Sequence, residues 1–431
     1  MRKEIVTRYI VPRVEGHGNV HVKIQDDKVT DVEFNLIEGQ RFFESVIVGM
    51  PWDRVPTLMQ RICAICTVPH NEAAIRAIER AMNVDVTEQT ELLRWLMFHG
   101  SMIESHALHT YFLAAPDFLK VPDAVHLLKT HPEAVQRAIR MKKLGNDLQA
   151  LIGGKPIHPE KSVVGGFISA PSPYAIRNIR QRLKDGIADA HATIDLFESI
   201  KYVDWTVSPT TYAAQRGPGP FMDYWGDTIH QGANTFSVSS YRDATNEKVV
   251  RKSSAKYSFT PEGKPFMVGS LARLLHNKSQ LTDGTTERIK KSGKLPTENI
   301  LLNSWAQAIE ALHSYERAID IIDELFSKGL KDEKPIKVVP RAGRGIAGVE
   351  APRGMLIHEY ETDANGKVTA CNVITPTAMN QANIEKDMKA SMKHLTGKPD
   401  REIEDFMETI VRAYDPCISC ACHMVEVHFV R

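Results

Sequence analysis

The chain has 431 residues, beyond the roughly 250 to 300 at which a single hydrophobic core stops growing, so it can bury a large core. Its 54 basic and 53 acidic residues leave a formal charge of +1, which excludes a global field drawing it to nucleic acid or to an anionic membrane. No apolar run reaches the ~18 residues of a membrane span, and the basic start MRKEIVTRYI lacks the apolar stretch and cleavage site of a secretory signal. The chain therefore reads as soluble and cytoplasmic, with export on a partner's signal peptide as the alternative.

In chain order, Val20, Val22 and Ile24 alternate with polar residues, Asp26-Asp27-Lys28 supplies a turn, and Val29, Val32 and Phe34 follow. That pattern predicts a hairpin over 18–37. Ala73, Ala74, Ala77, Ile78 and Ala81 recur at helical spacing over 68–82, with Asn83 as the stop. Thr87 is placed as an N-cap, with Glu88 and Glu91 in the first turn and Leu92, Leu96, His99, Ile103 and His106 along one face of a long helix. The stretch 208–264 is rich in Gly, Pro, Ser and Thr without clear period and reads as an irregular excursion with short strands. A second long helix is predicted over 302–328. Two extended runs flank Asn365-Gly366 between Met355 and Thr377, a hairpin signal, and helices follow near 383–396 and 401–413. Without repeat or linker, 1–431 reads as one α+β domain with a helical core bundle and small N-terminal and C-terminal antiparallel sheets.

Five of the six cysteines fall in two clusters, too uneven for a secreted disulfide framework. Cys63 and Cys66 in RICAIC, and Cys417 and Cys420 in DPCISC, are each separated by two residues, so a turn of backbone aims both sulfurs at one metal. The pairs lie at opposite ends of the chain and meet only if the fold joins those ends. Four thiolates suit tetrahedral zinc, nickel or iron equally, and unrelated thiols are a further alternative. Spacing alone leaves these open.

Read as longer motifs, RICAICTVPHN and DPCISCACH resemble the two cysteine motifs of nickel-iron hydrogenase large subunits. RVEGHG, RFFE, KPFMVGSLAR, EAPRG and ITPTAMN follow in that family's order, so the resemblance extends through most of the chain. IEGQRFFE, MIESHALH and AYDPCISC are most similar to the cytosolic class of sulfhydrogenases and NAD(P)-linked enzymes. Ala64, where the family often has Gly or Phe, and Gly269-Ser270, where it often has Gly-Pro, depart from the pattern away from the cysteines.

The resemblance implies an enzyme that reversibly splits dihydrogen into protons and electrons. It implies that Cys63, Cys66, Cys417 and Cys420 hold nickel, with Cys66 and Cys420 bridging to an iron carrying cyanide and carbon monoxide. Cys420 would take the first proton and Glu15 would relay it. Arg353 would sit over the iron, held by Asp415, with Pro376 and Thr377 lining the pocket. Glu44, His423 and the carbonyl of Val373 correspond to the family's magnesium site, where magnesium or another divalent ion would bind. His106 and His109 are candidate donors around the centre, and Cys371 and Cys422 are read as packing residues.

In the same family a maturation protease removes the residues after the last motif histidine, which predicts cleavage after His423 and loss of 424–431. A tail strand is the alternative, since Val425, Val427 and Phe429 alternate with polar residues. The cysteines are too few for this centre and an iron-sulfur cluster of four thiolates, which implies an iron-sulfur small subunit. The subclass adds flavin- and NAD(P)-binding and ferredoxin-like electron-transfer subunits. Competing readings are a heterodisulfide-linked or deazaflavin-reducing hydrogenase, a hydrogen sensor, and a non-catalytic structural subunit like the quinone-binding one of respiratory complex I. Retention of both cysteine pairs weighs against the last.

Overall fold

The computed structural model describes residues 5–26, 28–206, 208–293 and 297–422. Their fold is α+β, with long helices at the centre and antiparallel sheets at either end. The predicted N-terminal hairpin forms from strands Gly18–Gln25 and Lys28–Leu36, and Ile5–Ile10 adds a third strand.

Helix Thr67–Met82 stops at Asn83, whose φ of 56° is the left-handed cap conformation that asparagine tolerates. Helix Glu88–Leu108 starts where the Thr87 hydroxyl accepts the Thr90 N–H at 3.2 Å, as its N-cap chemistry predicts. It widens into a π-helical turn over His109–Ala114. Two further long helices, Pro132–Gly153 and Pro173–Ser199, were not anticipated from the sequence, although each opens with proline at its first position, where the missing N–H costs nothing. Together with Asn303–Lys328 these helices pack against one another and carry a large part of the main hydrophobic cluster. Among the described residues no helix is long and apolar enough to cross a membrane.

The C-terminal sheet has three strands where two were expected: Gly343–Ala351, Gly354–Thr362 and Val368–Ile374. Three glycines in Gly343–Ala351 hide it from propensity, and their purpose is contact. A Cβ on Gly345 would lie 1.9 Å from the Ala77 carbonyl oxygen, so only glycine lets this strand lie against the backbone of helix Thr67–Met82. The excursion 208–264 contributes short strands that join Phe266–Met267 in a four-stranded sheet. Helix Pro376–Leu395 begins at Pro376 rather than near 383, again with proline at the first position. Asp400–Ala413 then leads into the second cysteine motif.

Candidate metal centre

Cys63 leaves a short turn in extended conformation, and Cys66 is the residue from which helix Thr67–Met82 starts. Cys417 stands in the same relation to the short helix Ile418–Ala421, which contains Cys420. The chain's two ends meet in one backbone bridge, where the Ile418 N–H donates to Glu15 O at 2.9 Å. Gly16 permits this approach: its φ is 86°, and a Cβ there would sit 2.7 Å from the Ile418 Cβ. Arg41, not singled out from the sequence, ties the two loops, since its Nη2 donates to Ile62 O at 2.5 Å and to Ser419 O at 2.7 Å.

All four sulfurs lie within 4.8 Å of one another and all four residues are buried. Cys417 Sγ is 2.8 Å from Cys420 Sγ, 3.3 Å from Cys63 Sγ and 3.9 Å from Cys66 Sγ. A metal with sulfur ligands at ~2.3 Å has tetrahedral edges near ~3.8 Å, so this donor set fits a thiophilic metal. Hydrogen bonding to Cys417 holds the Cys63 and Cys66 thiols below the usual range, and Arg353 adds to the effect at Cys66. Burial pushes Cys417 and Cys420 well above it.

Glu15 Oε2 stands 3.1 Å from Cys417 Sγ and accepts the Ser419 N–H at 3.0 Å. Burial first, and then the nearby Cys63, raise its pKa. Glu15, the expected relay carboxylate, thus stands against Cys417, whereas the resemblance put the first proton on Cys420.

Arg353 is buried, with Nη1 3.5 Å from Cys66 Sγ and 3.3 Å from Ser105 Oγ, and Nη2 2.9 Å from Asp415 Oδ1. The Nη2 contact to Asp415 is an ion pair without hydrogen-bond geometry, and the buried Nε and Nη2 have no hydrogen-bond partner among the described residues. Asp415 has the left-handed φ of 53°, and Gln307 Nε2 donates to its Oδ2 at 2.9 Å. The Cys417 N–H donates to Thr377 Oγ1 at 2.8 Å, and Pro376 is buried beside Thr377 at the start of the same helix.

Glu44 is buried and its Oε1 accepts the Val373 N–H at 2.6 Å, so two of the three candidates for the second ion adjoin. His423 and the 424–431 tail lie outside the described residues. His109 hydrogen-bonds Gln307 and the Arg412 carbonyl, whereas His106 faces Glu310, which binds Arg273. Cys371 is half-buried and Cys422 buried, and neither belongs to the four-sulfur group. Sequence reading also missed Asn303 and Gln307, which recur at helical spacing with Glu310 on the buried face of Asn303–Lys328. That polar stripe on an otherwise apolar face was the available signal.

The model of the family described as nickel-dependent hydrogenase matches residues 41–141 and 224–423. Sulfhydrogenase 1 subunit alpha of Pyrococcus furiosus is 34% identical over 422 residues, covering 97% of each chain. Sulfhydrogenase 2 subunit alpha of the same organism is 38% identical over 419 residues, covering 96% of this chain and 98% of the relative. The crystal structure of an NAD+-reducing [NiFe]-hydrogenase in the H2-reduced state superposes with a TM-score of 0.89 at 27% identity, covering 98% of this chain and 99% of that one. The chain belongs to the nickel-dependent hydrogenases, as the catalytic large subunit of an oxidoreductase acting on dihydrogen.

Proposed function

We propose that this subunit splits dihydrogen at a nickel-iron group held by Cys63, Cys66, Cys417 and Cys420. Its electrons pass to an iron-sulfur small subunit and on to NAD(P) or polysulfide through flavin- and NAD(P)-binding and ferredoxin-like subunits. The convergence of four buried sulfurs beside the Arg353–Asp415 pair carries this reading. The acceptors follow the names of the relatives, two sulfhydrogenase alpha subunits and an NAD+-reducing enzyme. We place the protein in the cytoplasm, as one domain over 1–431 from which a maturation protease removes 424–431.

When bound, the nickel-iron group with its cyanide and carbon monoxide ligands supplies the Lewis acidity and redox change that dihydrogen cleavage needs. The chain's own residues handle the proton. Cys417 Sγ, in place of Cys420, passes it to Glu15 Oε2 over the 3.1 Å contact. Arg353 presents a fixed positive charge to the pocket, oriented by Asp415, while Pro376 and Thr377 close the pocket wall. Glu44, the Val373 carbonyl and His423 would hold magnesium or another divalent ion.

The test is purification with native partners from anaerobically grown cells, then nickel and iron analysis with an infrared spectrum of the cyanide and carbon monoxide stretching region. Near-stoichiometric nickel with those bands is expected. Zinc without bands in processed protein would replace this reading with a structural metal site.

A further inference from the structure

The loop that carries Asp415 is gripped on several sides. Arg412 O is bonded by His109 at 2.8 Å, and Ala413 O accepts from Asn303 Nδ2 at 2.8 Å. Asp415 needs such support, because a non-glycine residue at a φ of 53° followed by Pro416 holds its conformation only when its surroundings impose it. The side chain next to it, Tyr414, is buried and its hydroxyl lies between two residues of helix Pro376–Leu395. Asn383 Nδ2 donates to that oxygen at 2.6 Å, and an amide nitrogen only donates, so the hydroxyl proton points to Asp387 Oδ2 at 2.5 Å. Asp387 is itself buried, and desolvation pushes its carboxyl up to about 6. A buried carboxyl is costly; Ser208 and, at 3.9 Å, Lys386 also adjoin it, and the 2.5 Å bond from Tyr414 ties it to the loop of Asp415.

We propose that Asp387 is a positioning residue for hydrogen splitting: through the Tyr414 hydroxyl it fixes the backbone from which Asp415 orients Arg353. This rests on the role given above to Arg353 and Asp415. The same helix holds Cys417 through Thr377, so it sets one end of the cysteine loop and, through Asp387, the other.

The experiment compares Asp387→Leu, Asp387→Asn and Tyr414→Phe with the unaltered protein in the native complex. Turnover, KM for hydrogen, infrared band positions and amide exchange over 413–418 are read for each. Asp387→Leu and Tyr414→Phe are expected to lower kcat about tenfold with KM little changed, shift the bands and speed exchange at 413–418. Asp387→Asn, whose amide oxygen still accepts from Tyr414, is expected to recover most of the turnover. Tyr414→Phe conserves volume and so answers the case in which Asp387→Leu fails to fold. Wild-type turnover, bands and exchange in Tyr414→Phe would overturn the proposal, and so would an Asp387→Asn loss as large as that of Asp387→Leu. Unaltered protein without the infrared bands would remove the nickel-iron reading alone, and amide exchange would still decide whether Asp387 holds this loop.

Discussion

Arg353 Nη2 and Asp415 Oδ1 are 2.9 Å apart with both side chains about 1% exposed, and the other guanidinium nitrogen reaches 3.5 Å from Cys66 Sγ. A planar fork spans both partners, and the single ammonium of lysine does not. Arg353→Lys is therefore expected to keep nickel and lower turnover about 100-fold, the scale of losing one preorganised donor. Metal content and hydrogen-deuterium exchange activity measured together check it. A lysine variant with native turnover would show that the fork is dispensable. Removing the charge with Arg353→Leu strands Asp415 in the interior, at a cost of about 3 to 5 kcal/mol in stability.

Glu15 makes a different demand, for a proton acceptor rather than a charge. Glutamine keeps the shape and still accepts the Ser419 N–H, but it takes no proton from Cys417. Glu15→Gln is expected to retain nickel and the infrared bands while isotope exchange with solvent falls by about 10² to 10⁴. Unchanged exchange would mean that protons leave by another route.

The centre was legible in the sequence because its chemistry is concentrated in short motifs, so Cys63, Cys66, Cys417 and Cys420 needed only the fold to join them. Glu15, Glu44, Thr377 and Arg353 came from motif resemblance, since a lone glutamate or arginine carries no signal of burial. Arg41, Asn303 and Gln307 escaped because their work is to bind backbone and side chains far away in sequence. The hairpin at 18–37 and the caps at Asn83 and Thr87 follow local rules. Strand Gly343–Ala351 does not, because Gly343 and Gly345 answer to a helix hundreds of residues earlier and Gly348 to the Gln215 side chain.

That contact is itself testable. A methyl on Gly345 meets Ala77 O at 1.9 Å and Ala81 N at 2.5 Å, both backbone atoms that yield only if helix and strand separate. Gly345→Ala is expected to cost about 3 kcal/mol, the upper part of the usual overpacking range. Because the helix begins at Cys66, nickel per chain should fall too. Gly39→Ala, where a Cβ meets nothing within 4 Å, is the control. Equal denaturation midpoints and nickel contents in the two variants would refute the argument.

His313 gives the fold an acid-side weakness whose sign follows from its bonds. The Thr282 N–H donates to Nδ1 at 3.2 Å, so the ring proton sits on Nε2, which donates to Met222 O at 3.0 Å. The folded ring is neutral, and burial lowers its pKa to about 4. The unfolded chain takes up this proton first, near its ordinary pKa of ~6.5. Its contribution to stability is thus present above that value and drains away as pH falls towards about 4, by roughly 3 kcal/mol in all. His99, also lowered by burial, acts in the same direction, while Asp387, raised to about 6, opposes it. Glutamine at 313 offers an oxygen to Thr282 and an amide to Met222 without titrating. His313→Gln should therefore lose less stability than the native chain between those pH values. The measurement is the urea midpoint of each protein at several pH values, and parallel curves would assign the acid sensitivity elsewhere.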